Sequence, residues 1–153
     1  MIALGCDHAG LELKQAIMRH LDETGTAYHD FGTYSAASCD YPDIAKTVCD
    51  AVLGISGESC ELGILVCGTG IGMSIAANKI HGIRAAACSD YFSAKFTRMH
   101  NDANILCLGG RVIGAGLACE LADVFLQTPF GEGENHRRRI GKIASLENGG
   151  SEA

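Results

Sequence analysis

A single cysteine stands directly before a glycine-rich turn, in Cys67-Gly68-Thr69-Gly70-Ile71-Gly72, inside the longer run LGILVCGTGIGMSIAANK over 62–79. The thiolate is the reactive form of cysteine, and nearby N–H donors favour it. Glycines at 68, 70 and 72 let backbone N–H groups approach an anion, and a helix opening after the turn adds a favourable dipole. A reactive sulfur and an anion cradle therefore stand side by side. A strand cysteine is ordinarily a buried thiol, and a glycine turn often serves only to reverse the chain. Their adjacency is what favours chemistry. Two nucleotide motifs fit poorly. A phosphate-binding P-loop ends in Gly-Lys-Ser/Thr, which is absent. A dinucleotide fingerprint requires glycine where Met73 stands, and it belongs to the first strand of such a fold, not the third. Asp90 lies at a spacing suited to a ribose hydroxyl, which keeps nucleotide binding as a weaker alternative.

Three further groups have chemical potential. Asp7-His8 puts a carboxylate beside an imidazole, a pair able to move protons or hold a hydroxyl or phosphate. Asp at such a place also caps helices. His100-Asn101-Asp102-Ala103-Asn104 is a polar run that reads otherwise as an ordinary helix end. Arg111, and the run His136-Arg137-Arg138-Arg139, offer bidentate phosphate recognition, with one or two of the three consecutive arginines pointing at ligand. No spacing of His, Cys, Asp and Glu reads as a metal site.

These residues need a scaffold that gathers them. Short Val/Ile/Leu/Ala runs predict strands at 2–6, 27–31, 62–67, 84–88 and 104–108. Between them Leu11, Leu13, Ile17, Met18 and Leu21 mark one helix face, with Lys14, Arg19 and Glu23 on the other. Pro42 opens a second helix near its first turn. Ile75, Ala76 and Ile80 indicate a third, 91–99 a fourth, 117–126 a fifth, and 140–146 a short last one. Alternating strands and helices with continuous apolar strands predict one α/β domain over 1–153, a Rossmann-like three-layer α/β/α sandwich on a five-stranded parallel sheet. In such sheets ligands bind outside the carboxyl ends of the strands. Asp7, His8, Cys67–Gly72 and Arg111 all follow strands. His100 instead precedes one, so it falls at the opposite sheet edge. If it acts with Cys67, a second chain supplies it. The tail 148–153 is rich in Gly and Ser and reads as frayed.

Composition narrows the class. With 153 residues, 47% hydrophobic, the chain can bury a core and is not a disordered segment. A net charge of −6 argues against duplex nucleic acid, and no apolar stretch is long enough to span a membrane. The start MIALGCDHAG lacks the pattern of a secretory signal. The eight cysteines include no Cys-x-x-Cys pair, so they read as mostly buried thiols of a cytoplasmic protein.

GCDHAG at 5–10, DYPD at 40–43, CGTGIGMSIAANK at 67–79, GIRAA at 82–86, HNDANIL at 100–106 and GGRVIG at 109–114 resemble type B ribose-5-phosphate isomerases. That sugar-phosphate family also includes allose-6-phosphate and galactose-6-phosphate isomerase subunits. The resemblance runs from Ile2 to about Ile143. It implies a metal-free, cofactor-free homodimer with shared active sites, sometimes pairing into tetramers, that acts on a small phosphorylated sugar in the pentose phosphate pathway. It implies Cys67 as the base at C2, with Gly68, Thr69, Gly70, Ile71 and Gly72 holding the enediolate oxyanion. His100 assists ring opening with Asn101 beside it, Asp7 and His8 contact substrate, and Arg111 and Arg139 hold the phosphate. Asn135 stands where the family often has arginine, and Arg137 or Arg138 would have to compensate. The expected activity is interconversion of ribose 5-phosphate and ribulose 5-phosphate. The alternatives are the same chemistry on a six-carbon sugar phosphate, or a non-catalytic sugar-phosphate- or nucleotide-binding module.

Overall fold

In a computed structural model that describes residues 1–57 and 59–149, five strands and five helices alternate and a sixth helix follows. They are β1 Ile2–Cys6, α1 Leu11–Thr24, β2 Tyr28–Asp30, α2 Tyr41–Val52, β3 Leu62–Cys67, α3 Ile71–Ala77, β4 Ala85–Ala87, α4 Tyr91–Asn101, β5 Ile105–Gly109, α5 Ala115–Gln127 and α6 Glu134–Glu147. All pairings are parallel, in the order β2-β1-β3-β5-β4. The architecture is the predicted Rossmann-like α/β sandwich. The interior strands β1, β3 and β5 are almost wholly buried, as strands covered on both faces must be.

Alternate residues of those strands face opposite cores. Leu4, Cys6, Ile64, Val66, Leu106 and Leu108 pack with Ile17 and Leu21 of α1 and Leu121 and Phe125 of α5. Ala3, Leu65, Cys67, Ile105 and Cys107 pack with Val48 and Cys49 of α2 and Met73 and Ala77 of α3. The chain leaves β1 toward β2 on one side and re-enters beside it as β3. The carboxyl ends of β1 and β3 therefore border the crevice where ligands bind in such sheets. In register, Cys6 lies beside Val66 and Cys67 beside Gly109.

Several local expectations change. Lys14 is not on the solvent face of α1: it is 1% exposed. One and two turns further on, Ile17 and Leu21 are buried on the same face, so helical spacing does carry position 14 inward. α3 closes at Ala77, before Ile80, because the Asn78 side chain turns to bond both the N–H and the carbonyl of Ala85 on edge strand β4. α6 begins six residues earlier than its apolar pattern indicates and has no buried residue. A helix with no fully buried residue in its own chain leaves little apolar stripe to read. Of the tail expected to fray, Asn148 caps α6 and Gly149 takes a left-handed turn, while 150–153 lie outside the described residues.

Candidate active site

The end of β3 makes the central feature. Cys67 is 5% exposed, and its Sγ accepts the Gly70 N–H at 3.1 Å. Gly70 sits at φ +78°, where a side chain is strained, and a Cβ there would stand 3.0 Å from the Leu108 carbonyl carbon. Glycine is required for the turn to fold back over the thiol. The neighbouring strand secures the turn. Gly110 N–H donates to the Cys67 carbonyl at 2.8 Å, and Arg111 N–H to the Gly68 carbonyl at 3.0 Å. The Thr69 hydroxyl accepts the Ile71 N–H at 3.3 Å. The Gly70 amide that bonds the sulfur belongs to the turn, at the N-cap of the seven-residue α3.

Around this turn the end of β1 and the start of α1 form one wall. Asp7 is nearly buried, and its Oδ1 accepts the N–H groups of Ala9 and Gly10 at 2.9 and 3.1 Å. Asp7 therefore holds the turn that leads into α1 as well as bordering the crevice. α1 can begin there because Gly10 approaches β3 closely, where a Cβ would lie 2.5 Å from the Val66 carbonyl oxygen. The His8 ring accepts the Cys39 N–H at Nδ1, 3.5 Å away. Arg111 lies over Gly68, its Cδ 3.6 Å from where a Cβ would be. Two wall residues escaped the sequence reading as site residues. The Tyr41 ring lies 3.0 Å from the Cβ position of Gly72, and the Cys39 amide bonds His8. Tyr41 lies in the DYPD motif, so the signal for it was present. A backbone amide leaves none.

His100 and Asn101 occupy the carboxyl end of α4, at the opposite sheet edge from Cys67. A ladder of rings runs along α4 onto α6. Phe92 meets Phe96 at 4.2 Å, Phe96 meets His100 at 4.8 Å, and His100 stacks on His136 at 4.3 Å with 10° between planes. Partial burial, the His100 ring and the Arg139 charge hold His136 below the usual histidine range. Arg137 pairs with Glu132 at 2.9 Å, both exposed. The structure thus brings together Asp7, His8, the 67–72 turn and Arg111 in one group. His100, Asn101, His136, Arg137 and Arg139 form another. A cavity of about 530 Å³, lined by Arg84, Asn101, Ile143 and Leu146, lies on the second side, away from Cys67.

The other candidates settle into structural roles. The Asp90 carboxylate caps α4 by accepting the Ser93 N–H at 2.8 Å, and that bond holds it below the usual carboxylate range. Burial pushes the thiols of Cys6 and Cys88 up to about 11 and that of Cys49 to about 12, and it holds the Cys107 thiol well above the ordinary thiol range. These remain thiols at neutral pH. Among the described residues no cluster of three or more His, Cys, Asp or Glu could hold a metal, and no helix is long and apolar enough to cross a membrane.

The family model for Ribose/Galactose Isomerase matches residues 2–143. The chain belongs to the ribose/galactose isomerase family. Within it, the chain is 46% identical over 146 residues to ribose-5-phosphate isomerase B of Escherichia coli, covering 95% of each. It is 51% identical to a crystallised ribose 5-phosphate isomerase from Thermotoga maritima, with a TM-score of 0.89 over 94% of this chain and 97% of that one. A ribose-5-phosphate isomerase B from Mycoplasma genitalium, solved with bound ribulose 5-phosphate, superimposes with a TM-score of 0.87 at 40% identity, covering 96% and 95%. Family membership gives the Cys67 turn a chemical context: isomerisation of a sugar moves a proton between neighbouring carbons.

Proposed function

We propose that the chain interconverts ribose 5-phosphate and ribulose 5-phosphate by proton transfer through an enediolate. The carrying observation is the buried Cys67 sulfur, which accepts an amide N–H at the head of a turn rich in further N–H groups. In the open-chain aldose the C2 proton passes to the Cys67 thiolate, and the electron pair moves onto the C1 oxygen. Amides over 68–72, with Thr69, stabilise that oxyanion, which a carbon acid of this kind requires. The thiol then returns a proton to C1 while a proton moves from O2 to O1, leaving the carbonyl at C2. Asp7 and His8 hold the sugar hydroxyls. Arg111 and Arg139, with Arg137, hold the phosphate and so orient the reacting carbons. His100 assists opening of the furanose ring, with Asn101 beside it.

The site is completed by a second copy of the chain. His100 lies at the opposite sheet edge from Cys67, while Ile71, Ile75 and Phe92 expose large apolar surface around the Cys67 turn and α4. In a homodimer that surface is covered, and the partner's His100 group closes over the Cys67 group. Such dimers can pair again as tetramers. One domain over 1–153 carries the activity, since both cores share one sheet. No disulfide joins the eight cysteines, which fits a reducing compartment, and we assign the enzyme to the cytoplasm.

A second reading keeps the mechanism and changes the sugar. The family takes in both ribose and galactose isomerases, and Asn135 lies exposed on α6 beside the arginine run. The test is kcat/KM in EDTA for ribose 5-phosphate, allose 6-phosphate and galactose 6-phosphate. Preference for ribose 5-phosphate supports the first reading, preference for a hexose phosphate the second. A folded protein that turns over none of them contradicts both.

A further inference from the structure

Lys14 is among the largest fully buried side chains of the described residues, and the mechanism above gives it no task. Its ammonium bonds Asp30 Oδ1 at 2.5 Å and the Thr33 carbonyl at 2.9 Å, and lies 5.1 Å from the Tyr34 ring centroid. Burying an ammonium is costly unless it is paired this completely. A leucine would fill the position at less cost, as Leu21 does two turns on. What a leucine cannot do is hold oxygens of the segment after β2.

That segment leads to the site. Asp30 Oδ1 also accepts the Gly32 N–H at 2.9 Å, and the Tyr34 hydroxyl donates to the Asp30 carbonyl at 2.8 Å. Thr33 N–H donates to the Cys6 carbonyl at 2.7 Å, immediately before Asp7. From Thr33 the chain passes to Cys39, whose N–H reaches His8 Nδ1. With Nδ1 accepting, the neutral ring carries its proton on Nε2, as a donor for a substrate oxygen. We propose that Lys14 is a positioning residue for the isomerisation. It fixes the segment over 30–39 so that the Cys39 amide orients His8 toward the sugar. This assignment rests on the reading of His8 as a substrate contact.

The test is a double-mutant cycle on kcat/KM for ribose 5-phosphate, using wild type, Lys14→Met, His8→Ala and the double variant. Lys14→Met is expected to lower kcat/KM by roughly 10- to 100-fold, the scale of a misplaced substrate contact. In the His8→Ala background the same change is expected to cost less than about twofold, because coupled residues are not additive. The rate of Cys67 alkylation stays at the wild-type value, a readout that general loosening of the fold would move. Lys14→Arg, which keeps the cation and its donors, recovers part of the loss. Should Lys14→Met fail to fold, Tyr34→Leu at the exposed end of the clamp enters the same cycle, with an expected loss of about threefold that vanishes without His8. Losses that multiply independently, or a Lys14→Met enzyme with wild-type kcat/KM, overturn the assignment while leaving the isomerase reading intact. A wild-type chain without turnover overturns both.

Discussion

The two groups of site residues are built in opposite ways. The Cys67 group is made by the ends of three adjacent interior strands, with a buried sulfur and backbone amides held by bonds from Gly110 and Arg111. The His100 group is made of side chains on α4 and α6, and no residue of α6 is fully buried in its own chain. The first is preorganised by the sheet. The second is held by a ring stack and has an open face. A reaction that must stabilise charge as it forms depends most on the preorganised part. Ring opening is the step that the proposed mechanism assigns to the second group.

The largest effect is expected where the sheet does the positioning. Cys67→Ala should lower kcat by about 10⁴-fold, the upper range for a general base, with the fold intact by circular dichroism. A loss below tenfold would move the proton transfer to another group. His100→Ala should cost less, about 10²-fold, and should be milder on a substrate analogue supplied in open-chain form. Equal losses on closed and open sugars would remove ring opening from its role. Gly70→Ala tests the turn itself: with φ at +78° and the Leu108 carbonyl carbon 3.0 Å from the new Cβ, thermal unfolding should show destabilisation of about 1–3 kcal/mol. Activity should fall with it, since the amide facing Cys67 moves.

Smaller effects follow from the titrating groups. The thiols of Cys6, Cys49 and Cys88 are raised by burial, to about 11, 12 and 11. Raised thiols bind protons more tightly in the fold than in the unfolded chain. Their contribution to stability is therefore complete below pH 9 and is lost as pH rises through 11 to 12. Urea unfolding at pH 7, 9 and 11 should give a midpoint that holds between the first two and falls at the third. A flat profile would contradict their burial. At the other group the sign reverses. His136 is held below its ordinary value, so the unfolded chain takes up its proton first and stability declines modestly as pH drops below about 6.5. His136→Phe should blunt that decline while keeping the stack on His100.

The same contrast governs what the sequence reveals. Strands β1, β3 and β5 and the Cys67 turn were legible because interior parallel strands read as unbroken apolar runs, and the turn spells its own glycine requirement. The core position of Lys14 was hidden because its charge reads as surface, although its spacing to Ile17 and Leu21 was visible. The start of α6 was hidden for a deeper reason. Helix periodicity records burial within one chain, and α6 has no fully buried residue. The strand order also eluded the pattern, since β5 lies between β3 and β4 and short strands of similar composition do not encode their neighbours. The division of the site residues between opposite sheet edges could be argued from topology alone.

Whether the two groups meet between chains decides whether one chain can hold a complete site. Cys67→Ala and His100→Ala proteins, each nearly inactive, are mixed under conditions of subunit exchange and assayed with ribose 5-phosphate. Half of the resulting dimers are mixed, and each of those carries one complete site of two, so about a quarter of wild-type activity should return. Mixtures no more active than their separate components would contradict the shared site.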